Sequence, residues 1–111
     1  MSERQVFLTQ RAKSDLKHYF EFAAERAPST ALQWLNRFKE SLNSLSLNAE
    51  RCSLAPEDGL LKRAVRQLIF GKQNNRYRAL FVIEEQRVVV LHIRRGGMDT
   101  ANKNDLGPPN G

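Results

Sequence analysis

The period of the hydrophobic residues changes near the middle of the chain, and this change constrains the fold more than any other feature. Residues 12–45 carry two apolar stripes spaced by three and four, as in amphipathic helices. A three-residue break separates the stripes, which predicts an antiparallel helical hairpin. Residues 62–94 instead carry three runs rich in Val, Ile, Leu and aromatic residues, joined by short polar connections. These runs predict an antiparallel meander.

Capping and turn residues predict where the elements begin and end. A β-prone run over residues 5–9 ends at Thr9, which we expect to cap the first helix. That helix should end near Ala27, because a proline follows it, and Ser29 is expected to cap the second helix. Residues 48–59 are polar and contain proline and an Asp-Gly pair, so we expect a loop.

The three runs of the meander cover residues 62–70, 76–84 and 87–94. The order β-α-α-β-β-β predicts an α+β fold in which the helical hairpin packs on one face of a mainly antiparallel sheet. One domain is expected over residues 1–99. Apolar content then falls, so residues 100–111 are expected to form a disordered tail.

The last two runs predict a sheet that is apolar on both faces. With a two-residue turn at residues 85–86, one face carries Leu80, Val82, Val89, Leu91 and Ile93. The opposite face carries Phe81, Ile83, Val88 and Val90. Two helices cover one face only, so we expect a bound partner chain on the other. This register places Arg76, Arg78 and Arg95 on the first face and Tyr77, His92 and Arg94 on the second, and a β-bulge would exchange these sets.

The net charge of +6 is unevenly distributed. Residues 62–95 contain nine Lys or Arg and only two acidic residues. Such a basic segment favours an anionic partner, either nucleic acid or an acidic protein. The alternative is a solvated basic sheet edge that discourages aggregation.

Several classes of protein are disfavoured by the composition. The apolar runs are far shorter than the roughly 20 residues of a membrane span, and the polar N-terminus is unlike a signal peptide. A single cysteine, Cys52, rules out an intrachain disulfide and fits the cytoplasm. The two histidines lie far apart in sequence, and no phosphate-loop motif occurs, so no metal or cofactor is predicted.

The second half of the chain resembles the RelE/ParE toxin superfamily. The similarity lies in residues 70–78 (FGKQNNRYR), 79–83 (ALFVI) and 87–99 (RVVVLHIRRGGMD), and residues 7–16 (FLTQRAKSDL) are similar to the N-terminal signature. The resemblance covers about residues 5–99. It implies that the chain is the toxin of a type II toxin–antitoxin system. An extended or helical segment of a cognate antitoxin would wrap it, and the two proteins would form a complex, for which a heterotetramer or a larger assembly is one possibility.

The superfamily contains toxins with different targets. RelE-type toxins cleave mRNA in the ribosome, whereas ParE-type toxins inhibit DNA gyrase by binding. Tyr77 and Arg78 match a Tyr-Arg pair of RelE-type toxins, but Met98 stands where those carry a second arginine, and no tyrosine follows Tyr77. The ending RGGMD at residues 95–99 resembles the His-Gly-Arg-Met-Asp ending of ParE-like chains. We therefore expect a ParE-like inhibitor of gyrase.

Two alternatives remain open at this point. One is a RelE-like endoribonuclease acting on mRNA in the ribosome, with Arg78 and His92 as candidate catalytic residues. The other is an inactive module that binds a partner protein or nucleic acid. The residues expected to contact the target or the antitoxin are Arg66, Arg76, Tyr77, Arg78, Arg94 and Arg95. Each arginine has a structural alternative, in which its aliphatic stem packs on apolar neighbours of the sheet.

Overall fold

The elements follow one another as β-α-α-β-β-β with an additional short helix at the end. A computed structural model describes residues 3–97 and 99–107. The elements are β1 (Gln5–Leu8), α1 (Gln10–Ala24), α2 (Pro28–Asn43), β2 (Arg66–Phe70), β3 (Tyr77–Ile83), β4 (Arg87–Arg95) and α3 (Lys103–Leu106). The predicted α+β class and the helical hairpin on the sheet are confirmed. Every helix within the described residues is too short or too polar to span a bilayer.

Thr9 joins the first strand to the first helix, as predicted. Its hydroxyl oxygen accepts a hydrogen bond from Ala12 N at 3.1 Å and so caps α1. The same hydroxyl donates to the carbonyl oxygen of Leu91 at 3.0 Å, which ties the start of the helix to β4. The predicted cap of the second helix is wrong. Helix α2 begins at Pro28, one residue before Ser29, because proline lacks an N–H and already has a helical φ.

The sheet has the strand order β1-β4-β3-β2. Strand β1 runs parallel to β4, and the three strands of the meander are antiparallel to their neighbours. The pairing of Ile83 with Val88 follows the predicted turn. A bulge then shifts the register, so that Leu80 pairs with His92 and Leu91 is skipped.

The bulge exchanges the residues at the end of the sheet, as the conditional prediction stated. Arg78 lies opposite Arg94, and Tyr77 lies opposite Arg95. Ile93 therefore joins the core beneath the helices, while Arg94 shares the other face with Arg78. The bulge explains why two consecutive arginines, Arg94 and Arg95, have different surroundings.

The first core lies between the hairpin and the sheet. Its fully buried members come from α1, α2, β3, β4 and the segment after α2, and they include Ala12, Phe38, Leu45, Ala79, Phe81, Val88, Val90 and Ile93. Both predicted helical stripes thus contribute to this core through their inward-facing residues. Leu32 on α2 lies outside this core and is 52% exposed.

The second face of the sheet is covered by the chain itself. Leu80, Val82, Val89 and Leu91 are fully buried there under Ala55, Leu61, Val65, Ala101 and Leu106. The prediction that a partner chain hides this face is therefore wrong. The loop before β2 and the segment after β4 fold over it, which removes its apolar surface from water within one chain.

Residues 100–107 differ from the disordered tail that was predicted. Ala101 and Leu106 are buried against the sheet, and these two apolar residues anchor the segment. Asn102 and Asp105 form a capping box around α3, in which each side chain accepts a hydrogen bond from the other's backbone N–H at 3.0 Å. Residues 108–111 of the predicted tail lie outside the described residues.

Candidate functional site

Arg78 is held in a buried ion pair beneath the loop before β2. Its two terminal nitrogens donate to the carboxylate oxygens of Glu57 at 2.9 and 2.8 Å, and a further hydrogen bond of 3.1 Å reaches Gln67. The side chain of Glu57 is fully buried, and it also accepts a hydrogen bond from Ala101 N at 2.8 Å. These contacts join β3, the loop and the C-terminal segment through one carboxylate.

The electrostatics of this pair favour the charged forms. Hydrogen bonds from Arg78, and to a smaller extent from the backbone N–H of Ala101, hold the pKa of Glu57 at about 2 against the burial that raises it. The carboxylate is therefore ionised at every physiological pH. A bidentate guanidinium bound in this way has a structural function, and it would have to leave Glu57 to contact a phosphate.

His92 and Arg94 form a second buried cluster at the junction of β4 with α1. His92 Nδ1 lies 2.6 Å from Asp15 Oδ2, and its Nε2 lies 3.2 Å from an Arg94 nitrogen. Arg94 also donates to the carbonyl oxygen of Asp99 at 2.8 Å and pairs with Asp105 at 3.3 Å. The ring of His92 thus bridges a carboxylate on α1 and a guanidinium on β4.

Asp15 is the acidic centre of that cluster. Burial raises its pKa, but hydrogen bonds from His92 and from the backbone N–H of Ile93 together lower it below the ordinary value. Arg11 pairs with Asp15 at 3.1 Å and with Asp105 at 3.2 Å, so the cluster links α1, β4 and α3. Both candidate catalytic residues therefore contact carboxylates, Arg78 that of Glu57 and His92 that of Asp15.

Two further predicted residues are anchored in their immediate surroundings. Tyr77 is half-buried, and its ring centre lies 5.1 Å from that of Tyr19 and 5.2 Å from that of Trp34. Arg66 donates to the carbonyl oxygen of Cys52 at 2.6 Å, which fixes the chain before β2. Neither side chain projects freely into solvent.

Arg76 and Arg95 differ from the other predicted arginines because both are exposed. They line a concave site at the end of the sheet, between the β2–β3 connection and the turn that follows β4. We call it the arginine pocket, and among the described residues it is lined by Gln73, Asn74, Arg76, Arg95, Gly96 and Gly97. Within residues 3–97 and 99–107, neither arginine has an acidic side chain within ion-pairing distance.

A second concave site lies between the two long helices and the edge strand β1. We call it the lysine-rimmed groove, and its lining consists of Leu8, Lys13, Leu16, Lys17, Phe20, Leu35 and Lys39. The floor is apolar and the three lysines are exposed at its rim. A surface of this kind suits an amphipathic segment with acidic flanks. The described residues contain no group of three or more His, Cys, Asp or Glu arranged to hold a metal ion.

A comparison with protein families decides which group of proteins the chain belongs to. The family model described as the ParE toxin of the type II toxin–antitoxin system parDE matches residues 6–100. The chain belongs to the ParE toxin family. This confirms the expected RelE/ParE superfamily and its ParE-like subgroup, and the chain is a type II toxin of ParE type.

The fold of this ParE toxin is also found among solved structures. It matches a chain of the chromosomal ParDE toxin–antitoxin system from P. aeruginosa with a TM-score of 0.67 and 19% sequence identity. The match covers 84% of the present chain and 96% of the other. At this identity the likeness shows a shared fold. A search of curated proteins gives no match.

The structure brings some predicted residues of the ParE toxin together and separates others. Arg76 and Arg95 meet at the arginine pocket, while Arg78 and Arg94 lie on the closed face of the sheet. Met98, which stands where RelE-type toxins carry an arginine, lies outside the described residues.

Sequence reasoning missed the acidic partners Asp15, Glu57 and Asp105 and the three lysines of the groove. A signal for the partners exists, since residues 62–95 contain nine Lys or Arg but only two acidic residues, and both of these lie in the connection between β3 and β4. The carboxylates therefore had to come from outside that segment. The lysines occur at positions 13, 17 and 39, and only the hairpin geometry shows that they border one groove.

Proposed function

We propose that this ParE-family toxin arrests growth in the cytoplasm by binding DNA gyrase, and that a cognate antitoxin neutralises it. Membership of the ParE family is the observation that carries the proposal. The contacts of Arg78 and His92 support a binding mechanism, because each of these two candidate catalytic residues of the nuclease alternative is bound to a carboxylate.

We further propose that the antitoxin segment occupies the lysine-rimmed groove. Burial of the half-buried side chains of Phe20 and Leu35 would supply apolar contact, and the lysines would attract carboxylates of the partner. The groove opens beside Leu8 in β1, which is an edge strand. An extended piece of the same antitoxin could therefore add to the sheet.

Gyrase inhibition is tested by supercoiling of relaxed plasmid with purified gyrase and increasing toxin. We expect supercoiling to fall as toxin is added. In parallel, a purified translation system with a defined mRNA is mapped by primer extension. Cuts at ribosomal A-site codons, with supercoiling unaffected, would contradict the proposal and identify a RelE-like nuclease.

The antitoxin site is tested by charge reversal in the groove. Lys13→Glu with Lys17→Glu should weaken capture of the antitoxin by about tenfold or more, because each reversal replaces attraction by repulsion. Lys62→Glu with Lys103→Glu makes the same change of charge at exposed positions away from the groove, and it serves as the control. Equal antitoxin binding by the two double variants would contradict the proposed site.

A further inference from the structure

The arginine pocket differs in chemistry from the lysine-rimmed groove. Its six described lining residues are two arginines, two side-chain amides and two glycines. The groove, in contrast, has four apolar side chains in its lining. Protein interfaces generally have an apolar or aromatic centre, whereas contacts to a nucleic-acid backbone need cations and N–H donors. The two sites therefore suit different classes of ligand.

We propose that the arginine pocket binds the phosphodiester backbone of duplex DNA. Guanidinium groups bind phosphate oxygens through paired, charge-assisted hydrogen bonds, and the amides of Gln73 and Asn74 add neutral donors. The choice of duplex DNA rests on the proposed function, because gyrase holds a DNA duplex while it acts. A toxin bound to gyrase would then contact protein and DNA together.

The pocket is built by two close approaches of the backbone. Gly96 N donates to the carbonyl oxygen of Arg76 at 2.7 Å, and a Cβ at Gly96 would lie 3.0 Å from the Arg76 Cβ. Gly71 has a φ of +96°, and a Cβ there would lie 2.2 Å from the carbonyl oxygen of Asn75. Glycine at position 71 lets the β2–β3 connection fold tightly on itself, and glycine at position 96 lets the end of β4 approach Arg76, so that both arginines line one site.

The arginines of the pocket are also available to a ligand. Among the described residues, the side chain of Arg95 donates one long hydrogen bond, of 3.4 Å, to the carbonyl oxygen of Asn74. Arg78 lies two positions after Arg76, and Arg94 lies one position before Arg95. Both Arg78 and Arg94 are instead buried against carboxylates. Lys72 is exposed in the β2–β3 connection, directly before Gln73, and it adds positive charge to the same end of the sheet. An anionic backbone is the complementary surface.

The test is direct binding of a fluorescently labelled DNA duplex to the intact toxin, followed by anisotropy over a range of salt concentrations. The variant Arg76→Gln with Arg95→Gln removes two cations from the pocket. The matched control, Lys62→Gln with Lys103→Gln, removes two exposed cations elsewhere. Circular dichroism and thermal unfolding establish that all variants are folded.

We expect wild type and the lysine control to bind the duplex with similar affinity. The arginine variant should bind at least about tenfold more weakly at low salt, and its salt slope should fall by about two, since about one counterion is released per phosphate contact. Equal losses in both variants would overturn the proposal, as would absence of DNA binding by wild type. Tighter binding of single-stranded RNA, or of an acidic peptide, than of duplex DNA would overturn it as well.

Gyrase assays on the same proteins separate this inference from the proposed function. DNA binding that depends on Arg76 and Arg95, without inhibition of gyrase, would support the pocket and contradict the proposed function. If the toxin inhibits gyrase but its DNA binding is unchanged by the two substitutions, the proposed DNA site is contradicted. The proposed inhibition of gyrase is then supported.

Discussion

The two pairs of arginines at the end of the sheet, Arg78 with Arg94 and Arg76 with Arg95, have opposite surroundings although they are neighbours in sequence. Arg78 and Arg94 lie on the closed face, with 8% and 9% of their surface exposed, and each contacts a carboxylate. Arg76 and Arg95 are exposed and line the arginine pocket. A basic cluster in a sequence therefore does not by itself define a binding surface, because strand geometry divides it into structural and exposed groups.

The largest expected effect is on the buried pair. Arg78→Ala should lower the free energy of unfolding by about 3–5 kcal/mol, because it leaves the Glu57 carboxylate buried without its guanidinium. Urea denaturation measures this change. The matched substitution Arg76→Ala should cost less than about 0.5 kcal/mol. A similar loss in both variants would remove the distinction between structural and exposed arginines.

The buried pair of Arg78 and Glu57 also makes stability depend on pH. The pKa of Glu57 is about 2 in the folded chain, against an ordinary value of 4.5. A depressed pKa stabilises the fold above the unfolded value, so this contribution is present above about pH 4.5 and is lost as pH falls towards 2. The depressed pKa of Glu57 contributes about 3 kcal/mol to the free energy of unfolding.

Denaturation at a series of pH values tests this expectation, with Glu57→Gln as the comparison. The variant should be less stable at neutral pH and should lose less stability between pH 4.5 and 2. Identical acid profiles for wild type and Glu57→Gln would show that the pair does not stabilise the fold.

The second buried cluster should give a smaller effect. His92→Gln removes a ring that bridges Asp15 and Arg94, and we expect a loss of about 1–3 kcal/mol from the unsatisfied polar groups. His18→Gln is the matched control, since His18 is exposed on α1. Its effect in the same urea titration should stay within about 0.5 kcal/mol. If the two histidine variants were equally stable, the cluster would not contribute to folding.

The smallest expected change in stability belongs to the arginine pocket. Arg76→Gln with Arg95→Gln should alter the free energy of unfolding by no more than about 0.5 kcal/mol, because both side chains are exposed. Relief of repulsion between the two cations offsets part of any loss. Thermal unfolding measures it, and a loss above 2 kcal/mol would show that the pocket arginines are structural.

Much of the fold could be predicted because the signals are local. The capping Thr9, the two helical stripes and the strand runs each depend on residues close in sequence. The sequence pattern also indicates what a bulge would change, although the position of the bulge between Leu80 and Phe81 depends on packing. The capping box of Asn102 and Asp105 is also local in sequence, and it indicates a short helix where a disordered tail is predicted.

The remaining features depend on contacts between distant parts of the chain. Glu57 and Arg78 are 21 residues apart, and Asp15 and His92 are 77 apart, so no periodic pattern relates them. The cover of the second sheet face likewise depends on the path of the loop before β2. An apolar face in the pattern shows that a cover exists. The pattern leaves open whether the cover is the same chain or another one.

We have proposed that this ParE toxin inhibits gyrase by binding, and that Arg76 and Arg95 contact the DNA duplex that gyrase holds. Supercoiling inhibition curves for wild type, Arg76→Gln with Arg95→Gln, and Lys62→Gln with Lys103→Gln test it most directly. We predict that wild type and the lysine variant inhibit gyrase alike, and that the arginine variant needs about tenfold more protein, equivalent to about 1.4 kcal/mol of binding. Undiminished supercoiling in the presence of wild-type toxin that still arrests growth would contradict the claim.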